Sequence, residues 1–371
     1  MTQNLYYSKE NSYVHSGAIA VLAILIVVHE LGHFMAARLQ GIYANRFSIG
    51  FGPILLKYQG SQTEYAIRAF PLGGFVGFPG EDEDTDIPAD DPNLLQNRPL
   101  VDRAIVISAG VISNLIFAYF LLVTQVGIVG VPTFNYQPGV LISQVAPENS
   151  SLVAQAAGIK PGDVVTAING QELPASAEAI KTLMLEIQQA PQQNINLTVQ
   201  RQQETRQLQL TPELGADGKG KIGVQLAPNG EIFKKKAENI FAAFTGGAEE
   251  LQRVTLMIFQ GFGQLLSNFG ETAKQVSGPV AIVAMGANIA KSDITSLLQF
   301  AALISVNLAI INILPLPALD GGQLAFLLLE ALRGKPLPSH VQENIMQTGL
   351  LLIMGLGIFL IVRDTVNIVS G

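Results

Sequence analysis

Val28-His29-Glu30-Leu31-Gly32-His33-Phe34 sits inside an apolar run that begins at Gly17 and carries no charge before the motif. On a helix, His29 and His33 lie one turn apart on one face, where both can ligate a single metal ion, while Glu30 can meet a bound water as general base. Ionisable groups at membrane depth are costly unless paired or used, and two imidazoles with a carboxylate would be a heavy burden for a merely structural span. The stretch therefore predicts a hydrolytic metal site carried by a transmembrane helix.

Of the 371 residues, 49% are hydrophobic and 14% charged, and the charges gather between apolar runs. That is the composition of a polytopic membrane protein with a soluble insert. A net charge of -7, with no basic cluster longer than Lys234-Lys235-Lys236, leaves no footprint for nucleic acid. Cysteine is absent, which excludes disulfides, thiolate zinc sites and cysteine nucleophiles. The histidines are His15, His29, His33 and His340, so a three-residue site built on the motif takes its third ligand from a carboxylate. Residues 1–16 are polar, and the run behind them lacks a small-residue cleavage site; residues 17–37 read as a retained first span rather than a signal peptide.

Three further runs, 104–131, 297–319 and 345–362, reach the roughly 20 apolar residues that a bilayer requires. Two others read as interfacial or re-entrant: 240–269 is interrupted by Glu249, Glu250 and Arg253, and 276–290 is short and glycine-rich. In the first of these, Leu251, Val254, Ile258, Phe262, Leu265 and Phe269 form one apolar face, which suits either a helix lying on the membrane or one packed on the soluble domain. Arg38, Arg46, Lys57, Arg68, Arg98 and Arg103 fall between spans one and two, and Arg333 and Lys335 between spans three and four. By the positive-inside rule both loops face the cytoplasm and the long segment from 132 to 296 lies on the opposite side.

Within that segment, 139–145 and 164–168 read as strands, Asn169-Gly170 as a tight turn, 176–188 as a helix, and 195–200 with 205–210 as a closing hairpin. Gly158-Ile159-Lys160-Pro161-Gly162-Asp163-Val164-Val165, followed by Ile168-Asn169-Gly170, resembles the PDZ pattern. By that resemblance the domain takes an extended peptide, often a chain terminus, as an added strand; a spacer or filter is the alternative. Between the first two spans, 54–59 and 64–70 form a hairpin around Gly60 and Ser61 whose free edge can pair with extended chain or simply pack on the helices. The expected fold is a polytopic α-helical membrane protein with four transmembrane helices, an inserted α+β PDZ-like domain and a membrane-associated β-hairpin. Its parts are 1–131 with the first two spans, 132–230 with the PDZ-like domain, 231–296 as an interfacial segment, and 297–371 with the last two spans.

The candidate third ligand ends the third apolar run. Pro315 and Pro317 must break the helical hydrogen-bond ladder there, placing Asp320 where a helix unwinds at membrane depth, an arrangement tolerated only in buried protein or beside a watery cavity. The alternative is that Asp320 caps a following helix over 322–331. Two histidines and a carboxylate suit zinc, though iron or cobalt is also held by such a set.

His29-Glu30-Leu31-Gly32-His33 in a first span, Asn312-Ile313-Leu314-Pro315-Leu316-Pro317-Ala318-Leu319-Asp320-Gly321-Gly322 in a later one, and a PDZ-like domain between them resemble the site-2 protease family of intramembrane zinc metalloproteases. Within it, the resemblance is to the bacterial regulator-of-sigma-E type and its cyanobacterial and plastid relatives. It spans nearly the whole chain and includes Gly50-Phe51-Gly52-Pro53, Pro71-Leu72-Gly73-Gly74-Phe75-Val76 and Ser277-Gly278-Pro279. It implies that His29, His33 and Asp320 hold zinc, that Glu30 is the catalytic acid/base, and that Asn312 contacts substrate. Asn307, Pro315 and Pro317 are expected to line the same groove. The implied substrates are single-span membrane proteins, such as an anti-sigma factor or another tethered regulator, cut in a bacterial plasma membrane or a thylakoid or plastid membrane. The zinc site would lie near the cytoplasmic side and the PDZ-like domain opposite. A non-proteolytic scaffold that binds protein tails and holds a structural metal is the competing reading. Two departures stand out: the middle segment holds one PDZ-like domain, not two, and the second span reads Ala109-Gly110-Val111-Ile112-Ser113-Asn114, without a proline after the glycine. Asn114 is expected to bond to neighbouring helices.

Overall fold

The computed structural model describes residues 2–80, 87–145, 153–202, 204–215, 217–272, 276–293 and 295–370. The chain forms two compact units, Met1–Gly130 with Lys236–Gly371, and Val131–Lys235. Among the described residues, four helical stretches are long and apolar enough to cross a membrane: Ile19–Leu39, Leu100–Val129, Ser296–Ile313 and Ser339–Asn367.

Helix α1 (Thr2–Leu39) ends where Gly41 adopts a positive φ of 70° and Ile42 N–H returns to Ala37 O at 2.9 Å, a glycine C-terminal stop. Helix α2 (Leu100–Thr124) packs on it closely because Gly32 has no side chain: a Cβ there would lie 2.4 Å from Ala109 O. The contact is tied by the Ser113 hydroxyl, which donates to Val28 O at 2.9 Å.

Between them, β1 (Arg46–Gln59) and β2 (Glu64–Gly77) bend so that four short segments make one sheet. Residues 54–59 pair antiparallel with 64–68, Tyr58 facing Tyr65; residues 46–49 run parallel to 64–67 and antiparallel to 74–77, Phe47 facing both Tyr65 and Val76. Gly50 and Gly52, at φ 88° and 84°, supply the bend in β1. The outer segments are thus 54–59 and 74–77.

The second unit is an antiparallel sheet of β3 (Val131–Val145), β4 (Val164–Ile168), β5 (Ile195–Arg201), β6 (Glu204–Leu210) and β7 (Val224–Lys235), in the order β7-β3-β4-β5-β6, with helix α3 (Glu178–Gln189) on it. Alternate residues such as Val140, Ile142, Val165, Leu197 and Val199 enter its core, where they meet Ala179, Leu183 and Ile187, spaced four apart on one face of α3. Asn169 and Gly170 both take positive φ, 50° and 83°, as a two-residue hairpin turn requires. A cavity of 340 Å³ opens between α3 and β7, lined by Met184, Ile187, Gln188, Ile222, Val224 and Leu226.

Asp163 is 1% exposed and accepts from Arg201 Nε at 2.7 Å, Arg201 Nη2 at 2.8 Å and Lys160 N at 2.8 Å. Burial works to raise its pKa, but these donors outweigh it and hold the carboxyl below the ordinary range. A depressed carboxylate stabilises above its unfolded pKa of about 3.9 and loses that contribution as pH falls through the lower folded value. Amide exchange of β4 and β5 in the intact protein, normalised to its intrinsic rate at each pH, should therefore quicken on acidification through that window. Asp163→Asn should quicken it about tenfold at neutral pH and blunt the acid response, as read by hydrogen exchange.

Helix α4 (Ile240–Ser267) starts at Asn239, whose side chain accepts from Ala242 N at 2.8 Å. Its apolar face faces helices of its own unit: Leu251, Val254, Ile258 and Phe262 join Ala118 and Leu122 of α2 in one cluster with Ala302, Val306 and Ile310. Phe269, expected to extend that stripe, is 68% exposed in a separate turn, Phe269–Thr272. Helix α5 (Pro279–Ser292) receives at its N-terminus the Asp364 carboxylate, which accepts from Ala281 N at 3.0 Å. Helix α6 (Ser296–Ile313) stops earlier than the 319 expected from hydropathy. Leu314, before Pro315, turns to an extended φ/ψ of -63°/141°, because the proline ring disfavours the helical region for its predecessor. Residues 314–319 then lead to α7 (Asp320–Arg333), closed by Gly334 at φ 70°, and α8 (Ser339–Ser370) completes the chain.

Candidate metal centre

Helix periodicity places His29 and His33 on one face of α1, and the face of α2 opposite them is built for two imidazoles. Val106, Gly110 and Asn114 recur every fourth residue and so form one stripe. Val106 O lies 2.9 Å from His33 Nδ1, and the Asn114 amide lies 3.3 Å from His29 Nδ1. Between them, a Cβ on Gly110 would fall 2.3 Å from His33 Nε2 and 2.8 Å from His29 Cε1, so glycine alone leaves room for the rings.

The broken end of α6 brings in the third group. Asp320 is the first residue of α7, and its Oδ2 lies 3.3 Å from His29 Nε2 and 3.4 Å from His33 Nε2. The two Nε2 atoms are 3.3 Å apart. A tetrahedral zinc with bonds of about 2.0–2.1 Å requires ligand atoms about 3.3 Å from one another, so the triangle has the dimensions of one face of that tetrahedron. Asp320 Oδ2 is buried and, despite its closeness to both rings, receives no hydrogen bond of proper geometry. A buried carboxylate oxygen without a donor calls for a cation. An Arg103–Glu330 ion pair joins α2 to α7 and so fastens the Asp320 helix to the helix that orients both imidazoles.

Glu30 lies against β2, where Gly74 makes room: a Cβ there would lie 2.7 Å from Glu30 Cγ and 2.9 Å from Ser48 O. An outer strand of the sheet therefore passes beside Glu30. Of the other expected site residues, Asn307 and Asn312 are half-buried on α6 and Pro315 is exposed. Pro317 abuts Gly349 of α8, whose Cβ would fall 2.2 Å from the proline Cβ. The roles of Val106 and Gly110 escaped sequence reasoning altogether; the four-residue spacing through Asn114 was the available signal, but every helix has several such stripes.

A sequence profile described as Peptidase family M50 matches residues 17–356. A putative zinc metalloprotease of Nostoc sp. is 62% identical over 353 residues, 95% of this chain and 96% of that one. A probable chloroplastic membrane metalloprotease of Arabidopsis thaliana is 49% identical, over 95% of this chain and 79% of that one. The regulator of sigma-W protease of Bacillus subtilis is 28% identical, over 91% of this chain and 94% of that one. Among solved structures, the PDZ domain of an SdrC-like protein from Listeria monocytogenes matches 24% of this chain and 87% of its own, at 19% identity and a TM-score of 0.21.

Proposed function

The chain belongs to Peptidase family M50, the site-2 proteases, and on that premise we propose that this membrane zinc metalloprotease cleaves single-span membrane proteins within or near the bilayer. The observation that carries the reading is the convergence of His29, His33 and Asp320 at tetrahedral spacing, with Glu30 beside them and a sheet edge next to Glu30. Zinc, when bound, supplies a Lewis acid that lowers the pKa of water to about 7 and so provides a nucleophile at neutral pH.

Glu30 takes the proton from the attacking water and passes it to the leaving amine. The peptide bond must first leave its own helix, because helical hydrogen bonds shield it. The 74–77 edge, running past Glu30, offers backbone groups that pair with such an extended segment, and Asn312, Asn307, Pro315 and Pro317 contribute to the path on α6 and beyond. The outer hairpin exposes Leu55, Leu56 and Tyr58 in near succession, hence on both faces of the strand, which fits a lipid setting better than water.

The Lys and Arg distribution supports a zinc site towards the cytoplasm of a bacterial plasma membrane, or the equivalent side of a thylakoid or plastid membrane, with the PDZ-like domain on the opposite side of the membrane. There the free edge of β7 and the apolar cavity beside α3 suit a peptide tail, such as one exposed by an earlier cut. The Bacillus relative's name, a regulator of sigma-W protease, supports membrane-tethered transcription regulators as the substrate class. The scaffold reading is disfavoured by Glu30, since a structural zinc closes its fourth position with protein.

The purified full chain in liposomes should cut members of a panel of single-span proteins inside the spanning segment, as mapped by mass spectrometry. Cleavage should stop on chelation by phenanthroline and return with zinc. Zinc-loaded protein that cuts no member, including substrates pre-trimmed on the PDZ side, would sink the protease reading in favour of the scaffold.

A further inference from the structure

The imidazoles of His29 and His33 meet their partners on α2 in different ways. His33 Nδ1 meets a backbone oxygen, Val106 O at 2.9 Å, which no substitution can remove. His29 Nδ1 meets a side chain, the amide of Asn114 at 3.3 Å, and Asn114 is 0% exposed. The amide nitrogen faces the ring, which leaves Asn114 Oδ1 buried without a partner.

A histidine that ligates through Nε2 carries its proton on Nδ1, and that N–H needs an acceptor. A half-turn of the Asn114 amide exchanges its nitrogen and oxygen at almost no steric cost. It brings Oδ1 to His29 Nδ1–H, so that the oxygen gains a donor, and sets the amide nitrogen where the oxygen had none. The residue is otherwise held fast: Ser305 of α6 donates its hydroxyl to Asn114 O at 2.8 Å. Resting on the zinc reading above, we propose that Asn114 is a positioning residue for the metal centre, its amide oxygen accepting the His29 Nδ1 proton and thereby aiming the Nε2 lone pair at zinc. Asn114 touches neither the metal nor the substrate; it acts through His29. Beyond joining helices, its side chain makes one of the two histidine ligands tunable by mutation.

The test is zinc affinity of the full chain in detergent, by competition with a chromophoric chelator. Asn114→Leu, similar in volume but without an acceptor, should weaken zinc about 10–100-fold. Asn114→Asp, a stronger acceptor, should hold zinc at least as tightly as the native chain. A packing role alone would make both variants similar, and equal losses, or a Leu variant within twofold of native, would overturn the proposal. On the native zinc-loaded chain, nitrogen NMR of isotope-labelled histidine should show His29 protonated at Nδ1; a protonated Nε2 would overturn it without recourse to any variant. Zinc affinity does not depend on cleavage, so a chain that shows this pattern but cuts nothing would refute the protease reading and leave the role of Asn114 standing.

Discussion

Glu30→Gln is expected to retain its zinc and lose cleavage by about 10²–10⁴-fold, the span that positioned acid/base groups contribute. The amide has the shape of the carboxylate and can lie against Gly74 as Glu30 does, where a Cβ on the glycine would come within 2.7 Å of Glu30 Cγ. Nothing in the packing therefore changes. What the amide cannot do is accept a proton from water and release it to a leaving amine. Because Glu30 is not one of the three groups that converge on the metal position, zinc content should stay at the native level. Single-turnover cleavage with metal analysis on the same sample separates the outcomes. Native-like cleavage by a zinc-loaded Gln variant would show that another group moves the proton.

Gly110→Ala should release zinc, with affinity falling about 100-fold or more, although the substitution adds one methyl group in a helix that ordinarily favours alanine. The new Cβ would lie 2.3 Å from His33 Nε2, 2.6 Å from His33 Cε1 and 2.8 Å from His29 Cε1. These are the rings proposed to hold the metal. Neither can retreat along α2, because Val106 O and Asn114 face their Nδ1 atoms, so relief must come from tilting a ring or parting α1 from α2. Either movement spoils the 3.3–3.4 Å spacing of the donors, and overpacking costs about 1–3 kcal/mol besides. Gly261→Ala, where a Cβ would meet open space, is the matching control and should leave zinc affinity unchanged. Native zinc affinity in the Gly110 variant would mean that the rings do not lie where the donor triangle places them.

Much of the fold is legible along the chain because its causes are local. Continuous apolar runs announce the four membrane-length helices, and Asn169-Gly170 announces its turn because both positions need positive φ. The apolar face of α4 was equally visible, but two environments can bury the same stripe; only its packing against α2 and α6 distinguishes them. The third span shows the reverse case. Hydropathy runs on to Leu319, whereas the helix ends at Ile313, because proline stereochemistry acts on the backbone without altering how apolar the side chains are.

For the metal centre, sequence alone determined that His29 and His33 share a helix face, that Glu30 adjoins them, and that Asp320 follows a break where the backbone cannot remain helical. Tertiary structure alone decided that Asp320 Oδ2 reaches both Nε2 atoms, that Gly110 leaves the space for the rings, and that Val106 and Asn114 face their far nitrogens. The division has a physical reason. A four-residue spacing follows from the helical repeat and is present in any α-helix, whereas which stripe of α2 meets α1 depends on where Gly32 and Ser113 allow the two backbones to touch.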